Sequence, residues 1–312
     1  MRATVVGSIN MDIIVEVERL PRVGETLSGS NAVLAHGGKG ANQAVAIARL
    51  GEQSSLVGKV GSDAFGTEIR QGLESAGVDT SFVGRVPGTA TGIAMILLVK
   101  GDNTIVVSPG ANREVGREDI LGASTVIQES QALLTQLEIP MDSVAFAMQT
   151  ARRLGVTTIL DAGPAQECPP ELLALADYIT PNQTEASALT GVEVSDLDTA
   201  RQAAHQLLEY AGRGVVIKMG AAGSLAVNRE IEEYVEAIPV EVVDTTAAGD
   251  AFCGALAVGL AGDMPLAEAA RFANVVGAIT VTRLGAQPSI PTRLEVERFV
   301  AERGLSIPWP AP

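Results

Sequence analysis

The sequence predicts an α/β fold, a mostly parallel sheet between two layers of helices with a small second sheet beside it. Three observations carry this. Short β-branched and aliphatic runs alternate with longer alanine-rich amphipathic stretches, the pattern of repeated strand–helix units. Hydrophobic residues make up 46% of the 312-residue chain and charged residues 19%, enough apolar surface for a large packed core. Two stretches, 13–35 and 92–108, alternate like strands with no helical segment inside them.

In chain order, residues 3–7 read as a buried first strand. Residues 41–50 read as a helix closed by Gly51, since glycine adopts the left-handed conformation that ends a helix. A strand at 56–60 and a helix at 65–76 closed by Gly77 follow. Stretches 13–35 and 92–108 should pair as a small antiparallel sheet, with a hairpin turn at Gly101, Asp102 and Asn103. Over the carboxyl ends of the parallel strands, such a sheet would serve as a lid. Then come a strand at 132–137, a helix at 141–154 closed by Gly155, and short core strands at 156–160, 178–180 and 215–219. Helices near 185–189 and 199–211 separate the last two strands. Helices at 249–260, 266–281 and 293–303 complete the fold. The expected division is a core of 1–12, 36–91 and 109–305, a lid of 13–35 and 92–108, and a frayed proline-rich tail at 306–312.

A net charge of −15 argues against nucleic acid or an anionic membrane as partner. It leaves room for a nucleotide, because backbone amides and a metal ion hold phosphates on acidic proteins. Cys168 and Cys253 form no framework and read as reduced thiols of a cytoplasmic protein. The longest apolar run, 93–99, is too short to span a bilayer, and MRATVVGS enters strand-like sequence without a signal peptide's apolar region.

The chemistry concentrates in a few motifs. At 242–255, VVDTTAAGDAFCGA reads as a strand, a glycine turn and a small-residue helix. Backbone amides near Ala247, Ala248 and Gly249 would open that helix and attract an anion. Asp250 would sit there as a carboxylate able to take a proton from an attacking hydroxyl, or simply as a charge that complements the helix dipole. A second glycine cluster, HGGKGANQA at 36–44, holds Lys39, one of only four lysines among 22 basic residues. It is no Walker A loop, since Gly40 follows Lys39 where Ser or Thr is required, and Gln43 breaks the dinucleotide fingerprint. What remains is a tight turn presenting Lys39 and Asn42 to a polyhydroxylated ligand, or a solvated turn. Asn10 and Asp12, two apart after the first strand, face one way and can bond neighbouring hydroxyls, or they serve a turn. Asn182 and Glu185 read as a helix cap or as a pair organising hydrated magnesium.

Together these motifs resemble the ribokinase (PfkB) family of carbohydrate kinases over nearly the whole chain. The resemblance rests on GSINMD at 7–12, GGKGANQA at 37–44, LLTQLE at 133–138, ITPNQTE at 179–185, DTTAAGD at 244–250 and TRLGAQPS at 282–289. It implies a three-layer α/β/α core, a β-sheet lid that can pair with a second copy as a homodimer, and transfer of the ATP γ-phosphoryl group to the 5-hydroxyl of D-ribose with Mg²⁺ and activating K⁺. By the same resemblance, the sugar would be held by Asn10, Asp12, Gly37, Gly38, Lys39, Asn42 and Glu138, with Asp250 as base and the amides of Ala247, Ala248 and Gly249 as anion hole. The nucleotide would meet Asn182, Lys218, Met219, Gly220, Ala221, Ala222, Gly223, Gly249 and Asn274. Asn182 and Glu185 would serve magnesium indirectly, and Asp244, Thr246, Thr280, Arg283, Gly285 and Ser289 the potassium, several through backbone carbonyls. Lys218 stands where Ser or Thr is common, Asn274 where His is common, and His36 where an apolar residue is common. Kinases of deoxyribose, fructose or nucleosides in the same family remain alternatives, as does a non-catalytic sugar sensor on the fold.

Overall fold

A computed structural model describes residues 1–99, 102–307 and 309. The chain opens with β1 (Arg2–Val6) and passes through residues 7–9 into β2 (Asn10–Val17), which belongs to a second sheet and pairs antiparallel with β3 (Ala32–Gly37). Helix α1 (Lys39–Arg49) and strand β4 (Gln53–Gly61) return it to the core, followed by α2 (Ala64–Ser75) and the short β5 (Val78–Asp79) and β6 (Val83–Val86). Strands β7 (Gly92–Val99) and β8 (Asp102–Ser108) rejoin the small sheet. The strand–helix rhythm then runs through α3 (Arg117–Gly122), α4 (Ser124–Gln128), β9 (Ala132–Thr135), α5 (Met141–Arg153), β10 (Thr157–Leu160), α6 (Pro170–Leu173), β11 (Tyr178–Ile179), α7 (Gln183–Thr190), α8 (Leu197–Leu208) and β12 (Gly214–Lys218). Strands β13 (Ser224–Val227) and β14 (Glu232–Val235) form an antiparallel edge, and α9 (Ala248–Ala261), α10 (Leu266–Thr280) and α11 (Arg293–Glu302) complete the chain.

The main sheet is 10-stranded, in the order β14-β13-β12-β11-β10-β9-β1-β4-β5, with β6 on β4. From β5 to β12 every pairing is parallel, as expected. Alternate side chains build two cores. Val5, Leu134, Ile159 and Val216 face the layer of α1, α9 and α10, while Val6, Leu133, Leu160 and Val215 face that of α5 and α8. The strands are therefore apolar on both faces, and the fold is the three-layer sandwich that the alternation predicts. Helix α9 comes close against α1 at Gly254, where an added Cβ would lie 2.6 Å from the Ala46 side chain.

Three expectations need correction. The small sheet, in the order β3-β2-β7-β8, is antiparallel within each hairpin but parallel where β2 meets β7. Both central strands leave the core over the same edge, with Asn10 opposite Gly92, and so run the same way. Gly101 of the expected hairpin turn lies outside the described residues, whereas Asp102 and Asn103 already pair in β8. The expected tail is not free at Ile307 and Trp309, which pack against the core: the Trp309 ring meets Phe272 edge to face at 5.0 Å, under the Arg293 guanidinium. Residues 308 and 310–312 lie outside the described residues. Strands β5, β6, β13 and β14 and helices α3, α4 and α6 are too short to show a period in the sequence.

Candidate active site

Order in the main sheet reverses at β1, which lies between β4 and β9, and such switch points gather ligands at the carboxyl ends of strands. Here α9 points its amino end at that place. Its cap, Ala247, holds the left-handed conformation at φ 59°, a sparsely populated setting for a residue with a Cβ. Among the three amides expected as an anion hole, that of Ala248 donates to the Thr245 carbonyl at 3.3 Å. The first-turn amides of Gly249 and Asp250 have no preceding helical carbonyl to meet, and Gly249 lines the cavity.

Asp250 is buried in the first turn of α9. Its Oδ2 accepts from Asn42 Nδ2 at 2.8 Å and its Oδ1 from Gln43 Nε2 at 3.3 Å, while Lys39 Nζ stands 3.6 Å from Oδ1. Burial raises the carboxyl above its ordinary range, and the Lys39 ammonium opposes that only in part. For Lys39 burial works to lower the pKa, but Asp161, Asp250, Glu185 and Glu138 overturn it and keep the ammonium charged. A carboxylate of raised basicity beside a fixed cation and open amides can take a proton from a hydroxyl while negative charge develops next to it.

The glycine cluster of α1 brings these groups together by close approach. Gly38 holds φ 89°, and an added Cβ there would lie 2.7 Å from the Asn10 amide nitrogen; at Gly40 it would meet the backbone of Gly7 at 2.6 Å. Asn42 Oδ1 is buried and has no hydrogen-bond partner, an orphan beside Asp250 that a hydroxyl donor would satisfy. Opposite, Asn10 Oδ1 accepts from Asn112 Nδ2 at 2.7 Å, which fixes the amide and turns its own NH₂ elsewhere. Glu138 holds the Ser8 hydroxyl and the Lys39 amide on one oxygen, Oε2. Asp12 lies against the Cα of Gly37. Burial, Glu138 and Asp250 push its carboxyl up to about 7. His36 packs on Gly72 of α2, near Glu68.

A cavity of about 540 Å³ lies on the other side of Lys39. Of the expected nucleotide residues, Asn182, Lys218, Gly220, Ala221, Gly223, Gly249 and Asn274 line it. Met219 does not, because its side chain turns into the core, and the Ala222 carbonyl is taken by the Tyr234 hydroxyl. The Asn274 amide is tied to the carbonyls of Val235 and Glu236. Sequence reasoning missed the apolar wall of Ile238, Val240, Phe252 and Ala278, which no polar motif marks. Asn182 and Glu185 form a reciprocal capping box at 2.7 and 2.8 Å, so the helix-start reading holds. It consumes only Oε2 of Glu185; Oε1 lies towards Gly163 and Lys39.

Asp244 bridges the two segments expected at a potassium site. Its Oδ1 accepts from the amide and hydroxyl of Thr246, and its Oδ2 from the Gly285 amide at 2.9 Å. The Thr280 hydroxyl donates to the Val276 carbonyl and the Ser289 hydroxyl to the Ala286 carbonyl, while Arg283 reaches out to Glu295 at 2.8 Å. Arg283 brings no side-chain oxygen and both hydroxyl protons are committed, so a cation there would draw largely on main-chain carbonyls. Sequence reasoning also missed Gln43, inside the glycine motif, and Asn112 and Asp161, outside every named motif; all three hold site residues in place.

Residues 2–293 match the pfkB family carbohydrate kinase. A ribokinase of Haemophilus influenzae is 41% identical over 95% of this chain and 97% of its own length, and a deoxyribokinase of Salmonella typhi is 35% identical over 96% and 97%. The structure of an Arabidopsis thaliana ribokinase complexed with ribose and ATP superposes with a TM-score of 0.88, at 35% identity, covering 96% of this chain and 98% of that one. With the buried acid at a helix start, the glycine turn beside it and the adjoining cavity already in place, the chain belongs to the pfkB family of carbohydrate kinases.

Proposed function

We propose that the chain is a ribokinase, which transfers the γ-phosphoryl group of ATP to the 5-hydroxyl of D-ribose to give D-ribose 5-phosphate. The observation that carries this is the junction at Asp250. A buried base, a positioned ammonium and open helix amides sit between an orphaned hydroxyl acceptor on Asn42 and a cavity of about 540 Å³, roomy enough for a nucleotide. Ribose is held by Asn10, Asp12, Glu138 and Asn42, its chain end directed at Asp250. Asp250 Oδ accepts the hydroxyl proton as that oxygen attacks the γ-phosphorus and ADP departs. Lys39 and the amides at the start of α9 hold the charge that develops on the phosphoryl oxygens.

Glu185 keeps one carboxylate oxygen uncommitted, which fits an ion that retains most of its waters. When bound, Mg²⁺ neutralises charge on the β- and γ-phosphates. The Asp244 bridge fits a monovalent cation held largely by carbonyls; K⁺ there would stiffen the turn that sets the α9 amides. Leu34, Met95 and Val106 lie in register across β3, β7 and β8 and are each at least half exposed, an apolar row suited to a second copy of the chain. We place the enzyme in the cytoplasm as a homodimer. Both cysteines are free, and no described helix is long and apolar enough to cross a membrane.

The test is ADP release with D-ribose, 2-deoxyribose, fructose and a nucleoside under Mg-ATP. The expected outcome is the highest kcat/KM with D-ribose. Preference for 2-deoxyribose would move the chain to the activity of its 35%-identical deoxyribokinase relative. No turnover with any sugar, despite binding, would favour a sensor.

A further inference from the structure

Asp161, just past β10, is the one charged residue with zero exposure among the described residues. Its carboxylate gathers three donors: Lys218 Nζ at 2.6 Å on Oδ1, and Gln43 Nε2 at 2.8 Å and Lys39 Nζ at 3.3 Å on Oδ2. The donors come from β12 and α1, so this single group joins the wall of the nucleotide cavity to the glycine turn of the acceptor site. Both lysines line the cavity. Each also stands slightly farther from a second carboxylate, Lys39 at 3.6 Å from Asp250 and Lys218 at 3.9 Å from Glu185. An unpaired carboxylate at this depth would be strongly destabilising, and two ammonium groups offset that. Burial pushes the Asp161 carboxyl up, but Lys218 and Lys39 bring it down to about 2, so it stays charged.

We propose that Asp161 is a positioning residue: it holds Lys39 and Lys218 off the carboxylates they would otherwise close upon, so that Asp250 keeps an oxygen open to the sugar hydroxyl and both ammonium groups face the phosphates. This rests on reading Asp250 as the base. Without Asp161, the nearest carboxylate left to Lys39 is Asp250, and a close pair there would occupy the oxygen that must receive the proton. The charged and titratable groups facing this centre are Lys39 from α1, Asp12 from β2, Glu138 after β9, Glu185 from α7, Lys218 from β12 and Cys253 from α9.

The experiment is the pH dependence of the single-turnover rate, at saturating D-ribose and Mg-ATP, for the full chain and for Asp161→Asn. The wild type should lose rate on the acid side as Asp250 protonates. In Asp161→Asn a raising charge is gone and Lys39 is closer, so the acid limb should move down by about one pH unit, the size expected of one nearby charge, with a lower plateau. A packing defect alone would lower stability without moving the limb. Should the single variant fail to fold, Asp161→Asn with Lys218→Met removes one charge of each sign from the core and still releases Lys39; the limb should again move down. A limb coincident with the wild type in the folded variants would overturn the role of Asp161 alone. Absence of any acid limb in the wild type would instead overturn Asp250 as base.

Discussion

At Asp250 the carboxylate oxygens are already shared with Asn42 and Gln43, so Asp250→Asn keeps shape and burial while it removes the proton acceptor. Turnover should fall by about 10²–10⁴ with sugar affinity nearly unchanged, as read by rapid-quench rates beside ribose titration. Asn42→Ala removes both the Asp250 contact and the orphaned acceptor; the KM for ribose should rise far more than that for ATP, by about 5- to 150-fold for a loss of about 1–3 kcal/mol. Asp12 gives a pH signature. Its carboxyl is raised to about 7 by burial, Glu138 and Asp250, and ribose hydroxyls donate to the charged form, so binding favours deprotonation. Ribose affinity should therefore be full above pH 7 and weaken by up to about tenfold per unit below it, and Asp12→Asn should flatten that slope in calorimetry across pH. These residues were legible because each sits in a polar or glycine-rich motif at a strand end. Asp161 and Asn112 were not, since their partners lie over 50 residues away and no local pattern announces them.

Two elements set the geometry, the turn into α9 and the helix itself. Asp244 holds that turn to the later loop through the Gly285 amide, so Asp244→Ala should loosen the anion hole and blunt activation by KCl over NaCl at matched ionic strength. Equal rates of the wild-type enzyme in the two salts would count against the cation loop while leaving the sugar kinase intact. Helix α9 carries no polar stripe, and its composition alone does not say which face meets α1. The answer lies at Gly254, where a Cβ would crowd Ala46. Gly254→Val should lower stability by about 1–3 kcal/mol in urea denaturation without a selective effect on either KM. The helices called from glycine stops end close to the expected residues, because a left-handed cap is a local property. The parallel joining of β2 to β7 is not local, and nothing in either strand's own alternation specifies it.

Across the whole molecule, the two sheets divide the proposed acceptor site between them. Asn10 and Asp12 belong to β2 of the small sheet, whereas Asn42, Glu138 and Asp250 stand on the main body. Only residues 7–9 join β1 to β2, and only Gly38 lies between β3 and α1. A sugar seated in this seam as proposed would be a fastener as well as a reactant: its hydroxyls would stitch one sheet to the other, and release of product would mean undoing the stitches. Amide hydrogen exchange along β2 and β3 should slow when ribose binds and respond much less to nucleotide alone, since the nucleotide cavity is walled by the main body. The small sheet would then report occupancy of the acceptor site mechanically, and any second copy docked on its exposed apolar row would sense whether its neighbour's seam is sewn shut.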